Sequence, residues 1–168
     1  MLYCYDKEII KVGDERITMY CLNREIGLRV NSAELWNFIA TPRNLNRLTP
    51  PYLNFRILSD PPQEMFDGLL ILYEITIPRF GKQRWLTEIK HIRAGLSFVD
   101  EQRLGPYKFW YHMHQISASS ATSCRMFDQV SYALPGGPLG RLLHQLAVKK
   151  MLADIFTYRS QRLLELFG

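Results

Sequence analysis

Two histidines and an aspartate in the second half of the chain are the residues best suited to chemistry. His112 and His114 are separated by one residue, and Asp128 follows farther along. If these segments are strands, side chains alternate between the two faces of the sheet, so both imidazoles point to the same face. Two histidines with a carboxylate can bind zinc or ferrous iron, and a His–Asp pair can orient an imidazole for proton transfer.

The same residue types are also common in buried, hydrogen-bonded linings that position a ligand. Titratable groups in a cleft are found at catalytic sites more often than elsewhere, but many of them have only a structural role. We therefore predict that these residues position a ligand, and we expect neither a metal ion nor an organic cofactor. His112 and Asp128 remain the candidates for acid–base catalysis, with His112 as the base and Asp128 as the group that orients it.

A strand-rich region must position these side chains. Strands are predicted at 16–26, 53–59, 69–77, 84–92, 96–103, 107–117 and 122–134. Asn31 and Ser32 offer an N-cap to a short helix, and residues 138–167 carry apolar residues at helical spacing. An antiparallel sheet of about seven strands with this long helix over one face is an α+β arrangement.

Hairpin registers follow from the turns between these strands. A turn centred within the segment SASSA (117–121) places His112 directly opposite Asp128. The Gly-Pro turn that precedes this hairpin places Asp100 opposite Trp110. A slip of one residue would move every side chain to the other face of the sheet.

The face that carries the histidines also carries aromatic residues, which could form the wall of a cavity for a flat or lipid-like ligand. The register of the 84–92 strand stays open, because one register brings Glu88 opposite Asp100 and the other turns Trp85 inward. The register alone does not show whether this face points inward; if it does, the candidate ligand-binding residues are Trp85, Phe98, Asp100, Gln102, Trp110, His112, His114, Asp128 and Tyr132.

The composition is that of a globular domain. The chain has 168 residues, of which 47% are hydrophobic, and a formal net charge of +5. These values exclude a disordered or fibrous chain, and nucleic-acid binding is allowed but not required. Three cysteines without Cys-x-x-Cys spacing argue against a disulfide framework or a zinc knuckle. No apolar run reaches the roughly 18 residues of a membrane span, so we expect a soluble, cytoplasmic protein.

Two segments resemble a known superfamily. FVDEQRLGPYKFWYHMH (98–114) and FDQVSYALPGGPLG (127–140), followed by a long helix, resemble the bacterial ligand-binding branch of the START-like (SRPBCC) superfamily. This branch includes polyketide cyclase/dehydrase-like and coenzyme Q-binding-like proteins. The resemblance implies a helix-grip fold, in which a seven-stranded antiparallel sheet wraps around the long C-terminal helix. It further implies a single START-like domain over 1–168, with 1–15 as an N-terminal extension or an additional edge segment.

The resemblance also implies a cavity that faces the histidines and binds a hydrophobic or amphipathic small molecule. The alternative function is a cyclase- or dehydratase-type enzyme that uses the His112–Asp128 pair. A third hypothesis is an interaction protein that works through an exposed sheet face. We expect no nucleic-acid partner and no stable membrane insertion, and we interpret the basic residues of the last helix as a solvated face. These residues are Arg141, Lys149, Lys150, Arg159 and Arg162.

The opposite face of the hairpin is predicted to point outward. It carries four large residues, Phe109, Tyr111, Met113 and Phe127. A contiguous apolar patch on a soluble protein usually marks an interface, and a two-fold homodimer needs only one self-complementary patch. The homodimer is therefore slightly favoured over coverage of the patch by other segments, such as Met1 to Ile10.

Overall fold

Alternating apolar and polar residues build one antiparallel sheet. The computed structural model describes residues 7–168. The strands are β1 (Lys7–Val12), β2 (Glu15–Leu28), β3 (Arg56–Ile57), β4 (Leu70–Ile77), β5 (Gly81–Arg93), β6 (Ser97–Leu104), β7 (Phe109–Ser120) and β8 (Ser123–Ala133). Their spatial order is β1-β2-β8-β7-β6-β5-β4-β3. Every second residue of β4 is buried, which is the period of a strand with one covered face.

Within the described range the sheet has one strand more than the seven predicted. The additional strand β1 pairs with β2 at one edge of the sheet. The turn between them contains Gly13, whose φ of 60° lies in the left-handed region that favours glycine. At the other edge the predicted strand 53–59 is reduced to the two residues of β3. A 3-10 turn and the left-handed residue Asn54 precede β3 and delay its start.

The helices are α1 (Ser32–Ile39), α2 (Leu45–Leu48), α3 (Gly137–Leu143) and α4 (Lys149–Phe167), with 3-10 turns at Pro42–Asn44 and Pro51–Leu53. The predicted N-cap is confirmed, because the Asn31 side chain accepts the backbone N–H of Glu34 at 2.8 Å. The predicted helix 138–167 corresponds to α3 and α4, which a π-helical turn at His144–Val148 joins. None of the helices in residues 7–168 is long and apolar enough to cross a membrane.

The C-terminal helix packs across one face of the sheet, which confirms the predicted α+β arrangement. Leu152 and Phe156 of α4 share a buried cluster with Trp110 of β7. Farther along α4, Leu163 joins a second buried cluster that contains Met126 of β8. Burial of each such side chain contributes about 1.5–3 kcal/mol, so the helix is held along most of its length.

The predicted strand pairs around β7 are displaced by two residues. His114 lies opposite Asp128, and His112 lies opposite Val130. The reason is that β7 continues through Ser120, so the turn comes later than predicted. A displacement of two residues keeps every side chain on its predicted face, because side chains alternate with a period of two. The inner face is therefore confirmed, and the direct pairing of His112 with Asp128 is wrong.

The pairing of β6 resolves the register that the sequence left open. Asp100 lies opposite His112, and not opposite Trp110 as predicted. On its other side Asp100 lies opposite Ile89 of β5. This register turns Trp85 inward, where it is 5% exposed, and leaves Glu88 on the outer face.

The outer face of β7 and β8 is less continuously apolar than predicted. Phe127 lies opposite Gln115 instead of Met113, so a polar residue interrupts the patch. Tyr111 on this face is half-buried. The segment from Met1 to Ile10 was the alternative cover for this patch. Its described residues, 7–10, belong to β1, which lies at the sheet edge beside β2, and residues 1–6 lie outside the described range. The homodimer stays a prediction.

Candidate functional site

A cavity of about 180 Å³ lies between the sheet, α4 and the segment from Ile39 to Phe55. Its volume is below the roughly 300–1,000 Å³ expected from typical ligand sites. Most of the lining is apolar or aromatic, and it comes from the segment Ile39 to Phe55 and from β4, β5, β7 and α4. It includes Ile71, Ile75, Trp85, Trp110, Leu152 and Ile155.

The charged residues of the cavity lining form a single cluster. Asp100, His112, His114 and Arg159 all line the cavity. Asp128 contacts both histidines but does not line the cavity. The side chains of both histidines and of Asp128 are at most 6% exposed, whereas that of Asp100 is 20% exposed. Five ionisable side chains are therefore grouped in a largely apolar interior.

The two aspartates and the two histidines form a closed ring of contacts. His112 Nδ1 lies 3.1 Å from Asp100 Oδ2, and His112 Nε2 lies 3.0 Å from Asp128 Oδ1. His114 Nε2 lies 2.8 Å from Asp100 Oδ2, and His114 Nδ1 lies 2.8 Å from Asp128 Oδ1. The centroids of the two imidazoles are 3.7 Å apart. The structure thus brings together the three residues singled out for chemistry and joins Asp100 to them.

Arg159 of α4 closes the cluster from the helix side. Its Nε lies 3.6 Å from Asp128 Oδ2, and its side chain is 9% exposed. The interpretation of the basic residues as a solvated face is therefore wrong for Arg159. Arg159 follows Phe156 by three residues and precedes Leu163 by four, which places it on the stripe of α4 that faces the sheet. This spacing is the signal that could have identified Arg159 from the sequence.

A second buried arginine, Arg24 of β2, was also not predicted from the sequence to be buried. It is 2% exposed and lies opposite Asp128 in the pairing of β2 with β8. Its Nε donates a hydrogen bond to Ser160 Oγ of α4 at 3.0 Å. Arg24 occupies a buried position in the strict alternation of β2, so the alternation alone could have placed it inside.

Burial and ion pairing act in opposite directions on the pKa values of the cluster. Burial raises the pKa of Asp128, but Arg159 and both histidines outweigh it and hold this pKa well below its usual range. Burial also raises the pKa of Asp100, yet the two histidines lower it overall. For His112 burial lowers the pKa, and the two aspartates raise it above the usual value. Both carboxylates are therefore ionised at neutral pH, and His112 is biased toward its protonated form.

The predicted ligand-binding residues divide into two groups in the structure. The group that lines the cavity consists of Trp85, Phe98, Asp100, Trp110, His112 and His114. The predicted cavity lining is wrong for Gln102, Asp128 and Tyr132, which do not line the cavity. Gln102 fixes the loop between β6 and β7, because its amide donates to the carbonyl of Tyr107 at 2.7 Å. Tyr132 is fully buried, and its hydroxyl lies 2.8 Å from His144 Nε2.

Two tyrosines of the lining were not among the predicted residues. Tyr107 is the first residue of the predicted strand 107–117, but it lies in the loop before β7, where strand alternation does not apply, and it lines the cavity. Tyr73 of β4 lines the cavity too, and its hydroxyl lies 3.3 Å from Thr87 Oγ1. Burial raises the pKa of both tyrosines, so both hydroxyls stay protonated and can donate hydrogen bonds.

The indole groups of the lining differ in their partners. Trp110 Nε1 donates to Asp100 Oδ1 at 3.2 Å, so it supports the charged cluster. Trp85 packs edge-on against Trp110 with centroids 5.1 Å apart. Its buried Nε1 has no hydrogen-bond partner among residues 7–168. Trp85 is therefore a candidate donor to a bound molecule.

Solved structures resemble this chain closely in backbone but not in sequence. No family model and no curated protein sequence matches it. Truncated norcoclaurine synthase from Thalictrum flavum matches with a TM-score of 0.63 and 13% identity, over 92% of this chain and 99% of that one. A START superfamily protein from Mycobacterium smegmatis matches with a TM-score of 0.56 and 11% identity, over 85% of this chain and 98% of that one. The chain has the START-like fold.

A third neighbour of the same fold is the protein TTHA0849 from Thermus thermophilus, which matches with a TM-score of 0.60 and 16% identity, over 85% of this chain and 96% of that one. Norcoclaurine synthase has also been solved in complex with dopamine and hydroxybenzaldehyde. Identities this low establish a shared fold and leave the activity to be argued from the site.

Proposed function

We propose that this START-like chain binds a hydrophobic or amphipathic small molecule in its cavity. The proposal is carried by one observation, an apolar cavity whose lining includes a buried charged cluster. Apolar walls bind a hydrocarbon or aromatic body because burial contributes about 25 cal/mol per Å² of apolar surface. A few convergent polar groups then fix the orientation of the ligand, which is the usual composition of a small-molecule site.

The polar groups of the lining favour an amphipathic ligand over a pure hydrocarbon. The buried Trp85 Nε1 lacks a partner among the described residues, and an unmet buried donor costs about 1–3 kcal/mol. A carbonyl or hydroxyl oxygen of the ligand would accept this hydrogen bond. The hydroxyls of Tyr73 and Tyr107 are further donors in the same lining.

Native mass spectrometry of the purified full chain tests the proposal directly. We expect a co-purified small molecule, and we expect the emptied protein to enhance the fluorescence of 1-anilinonaphthalene-8-sulfonate. Ile155→Trp places an indole into the cavity lining and should abolish both signals. Leu146→Trp is the matched control, because Leu146 is 73% exposed on the same helical segment and does not line the cavity. Wild-type protein without either signal, or equal signals from both variants, would refute ligand binding in this cavity.

An enzymatic function is the alternative, and the contact between His112 and Asp128 favours it. His112 lines the cavity, and its Nε2 lies 3.0 Å from Asp128 Oδ1. Because the pKa of His112 is raised, the imidazole would serve as a proton donor to a cavity ligand at neutral pH. Turnover of the co-purified compound by wild-type protein, lost in a His112→Gln variant that still binds the compound, would support this alternative. An unchanged compound after prolonged incubation would support binding without catalysis.

A further inference from the structure

Three metal-ligating atoms converge on one point in the cavity lining. Asp100, His112 and His114 each offer one ligand atom, and these atoms lie within 4.8 Å of one another; the nitrogens that face Asp100 Oδ2 are His112 Nδ1 and His114 Nε2. The carboxylate oxygen lies 3.1 Å from the first nitrogen and 2.8 Å from the second. The metal-binding set considered from the sequence contained Asp128, but the carboxylate at the point of convergence is Asp100.

The remaining nitrogens of both imidazoles face a second carboxylate. His112 Nε2 and His114 Nδ1 lie 3.0 and 2.8 Å from the same oxygen, Asp128 Oδ1. Arg159 contacts the other oxygen of Asp128 and compensates its charge. Histidines that bind metals usually donate their second N–H to a carboxylate, which fixes the tautomer and the ring orientation. Asp128 occupies this position for both rings.

Hydrogen bonds among these side chains use three of the four imidazole nitrogens. His112 Nε2 is hydrogen-bonded to Asp128 Oδ1, His114 Nε2 is hydrogen-bonded to Asp100 Oδ2, and Arg159 Nη2 donates to His114 Nδ1 at 3.3 Å. His112 Nδ1 lies 3.1 Å from Asp100 Oδ2. A divalent cation among His112 Nδ1, His114 Nε2 and Asp100 Oδ2 would replace the proton between His114 and Asp100 and would add a partner for His112 Nδ1.

We propose that Asp100, His112 and His114 bind a divalent transition-metal ion, and that Asp128 fixes the orientation of both histidines. The donor set of two imidazoles and one carboxylate is typical of zinc or ferrous iron, and not of magnesium or calcium, which prefer oxygen ligands. This inference goes beyond ligand binding in the cavity and does not depend on it.

The site is open on the side of the cavity. All three ligands line the cavity, and Asp100 is the most exposed of them. Three protein ligands leave at least one coordination position for a water molecule or a polar group of a cavity ligand, whereas structural zinc sites are closed by four protein ligands. The metal would therefore lie beside the bound molecule, as in sites that polarise an oxygen atom of a substrate.

Titration of the full chain with metal alone tests the proposal. Protein stripped with a chelator is titrated with Zn²⁺ by calorimetry and with Co²⁺ by visible absorption. We expect about one equivalent of either ion, with Co²⁺ bands in the visible region that Zn²⁺ displaces. Asp100→Asn, which keeps the shape of the side chain, and His114→Gln should each abolish this binding. Asp128→Asn should weaken the affinity by about 10–100-fold, the usual effect of losing an outer carboxylate.

His144→Gln is the matched control for adventitious binding by histidine. His144 is also buried, but its Nε2 contacts the hydroxyl of Tyr132 and it lies outside the cluster. This variant should retain about one equivalent of Co²⁺. Circular dichroism establishes which variants fold. If His114→Gln does not fold, the metal titration of Asp100→Asn decides the outcome. The proposal is overturned if stripped wild-type protein binds neither ion, or if folded Asp100→Asn binds Co²⁺ as wild type does.

Discussion

Substitution of Asp128 by asparagine tests whether the Asp128 carboxylate compensates the buried charges around it. The Asp128 side chain is 4% exposed, with Oδ1 next to both histidines and Oδ2 next to Arg159. Asparagine has nearly the same shape, but one oxygen is replaced by an NH₂ group. In one orientation this group faces the Arg159 guanidinium, donor against donor, and in the other it faces the imidazoles. Neither orientation restores the contacts of the carboxylate.

The expected cost follows from the burial of the partners. Removing one partner of a buried ion pair leaves an uncompensated buried charge and destabilises by about 3–5 kcal/mol. The exposed pair of Asp154 and Lys150 on α4 provides the comparison. Its Nζ–Oδ2 distance of 2.8 Å equals the distance from His114 Nδ1 to Asp128 Oδ1, but the Asp154 side chain is 53% exposed. An exposed helical pair of this kind contributes about 0.3–0.5 kcal/mol. Asp128→Asn should therefore cost several times more than Asp154→Asn.

Urea unfolding at pH 7 with a chelator present measures both variants without a contribution from metal. At an m value of about 2 kcal/mol per M, a loss of about 3–5 kcal/mol lowers the midpoint by about 1.5–2.5 M. Asp154→Asn should shift the midpoint by less than about 0.3 M on the same scale. If Asp128→Asn shifts the midpoint no more than Asp154→Asn does, the loss of the carboxylate leaves no uncompensated buried charge and the reasoning is refuted.

Three further predictions concern other parts of the molecule. The pKa of His144 is lowered to about 4, mainly by burial. As the pH falls from 6.5 toward 4, this histidine binds a proton in the unfolded chain but not in the folded chain. The free energy of unfolding of wild type relative to that of His144→Gln should therefore fall by up to about 3 kcal/mol in urea titrations. Parallel pH profiles of the two proteins would contradict this prediction. Leu163→Ala removes a side chain from a packed cluster and should lower the free energy of unfolding by about 3–5 kcal/mol in thermal unfolding. Leu152→Ala, beside the cavity, should lower it by only about 2 kcal/mol. Equal losses for the two variants would contradict the cavity assignment. Light scattering at micromolar concentration should show a homodimer that Tyr111→Glu converts to a monomer, and a wild-type monomer would refute the dimer.

The residues that share a face of the sheet could be predicted from the sequence because side chains alternate with a period of two, and the family resemblance implied that this face points inward. His112, His114 and Asp128 lie on the predicted face even though the register is displaced. The displacement arose at a turn, where Ser120 extends β7 beyond the predicted limit. An error of two residues changes the partner of each side chain but not its face. Face assignments therefore tolerate an uncertain turn, and pair assignments do not.

The composition of the charged cluster could not be predicted in full, because it depends on contacts between distant segments. Arg159 was interpreted by its charge, although its spacing on α4 places it against the sheet. Tyr107 was included in the predicted strand 107–117, although it lies in a loop. Asp100 was expected on the inner face, but its contact with both histidines required the register of β6 against β7. The missing information was tertiary for Asp100, whereas for Arg159 the helical spacing already contained it.

The position of the charged cluster is itself an argument for function. A buried ion pair seldom stabilises a fold more than apolar residues of similar volume would, because removing charges from water costs several kcal/mol per ion. The neighbouring core cluster around Leu163 and Met126 is apolar, so this fold packs its helix well without buried charges. In the cavity, by contrast, Asp100, His112 and His114 lie where they can contact a bound molecule. A chain selected for stability alone would favour apolar residues at these positions, so the cluster supports the proposed binding of a small molecule in the cavity.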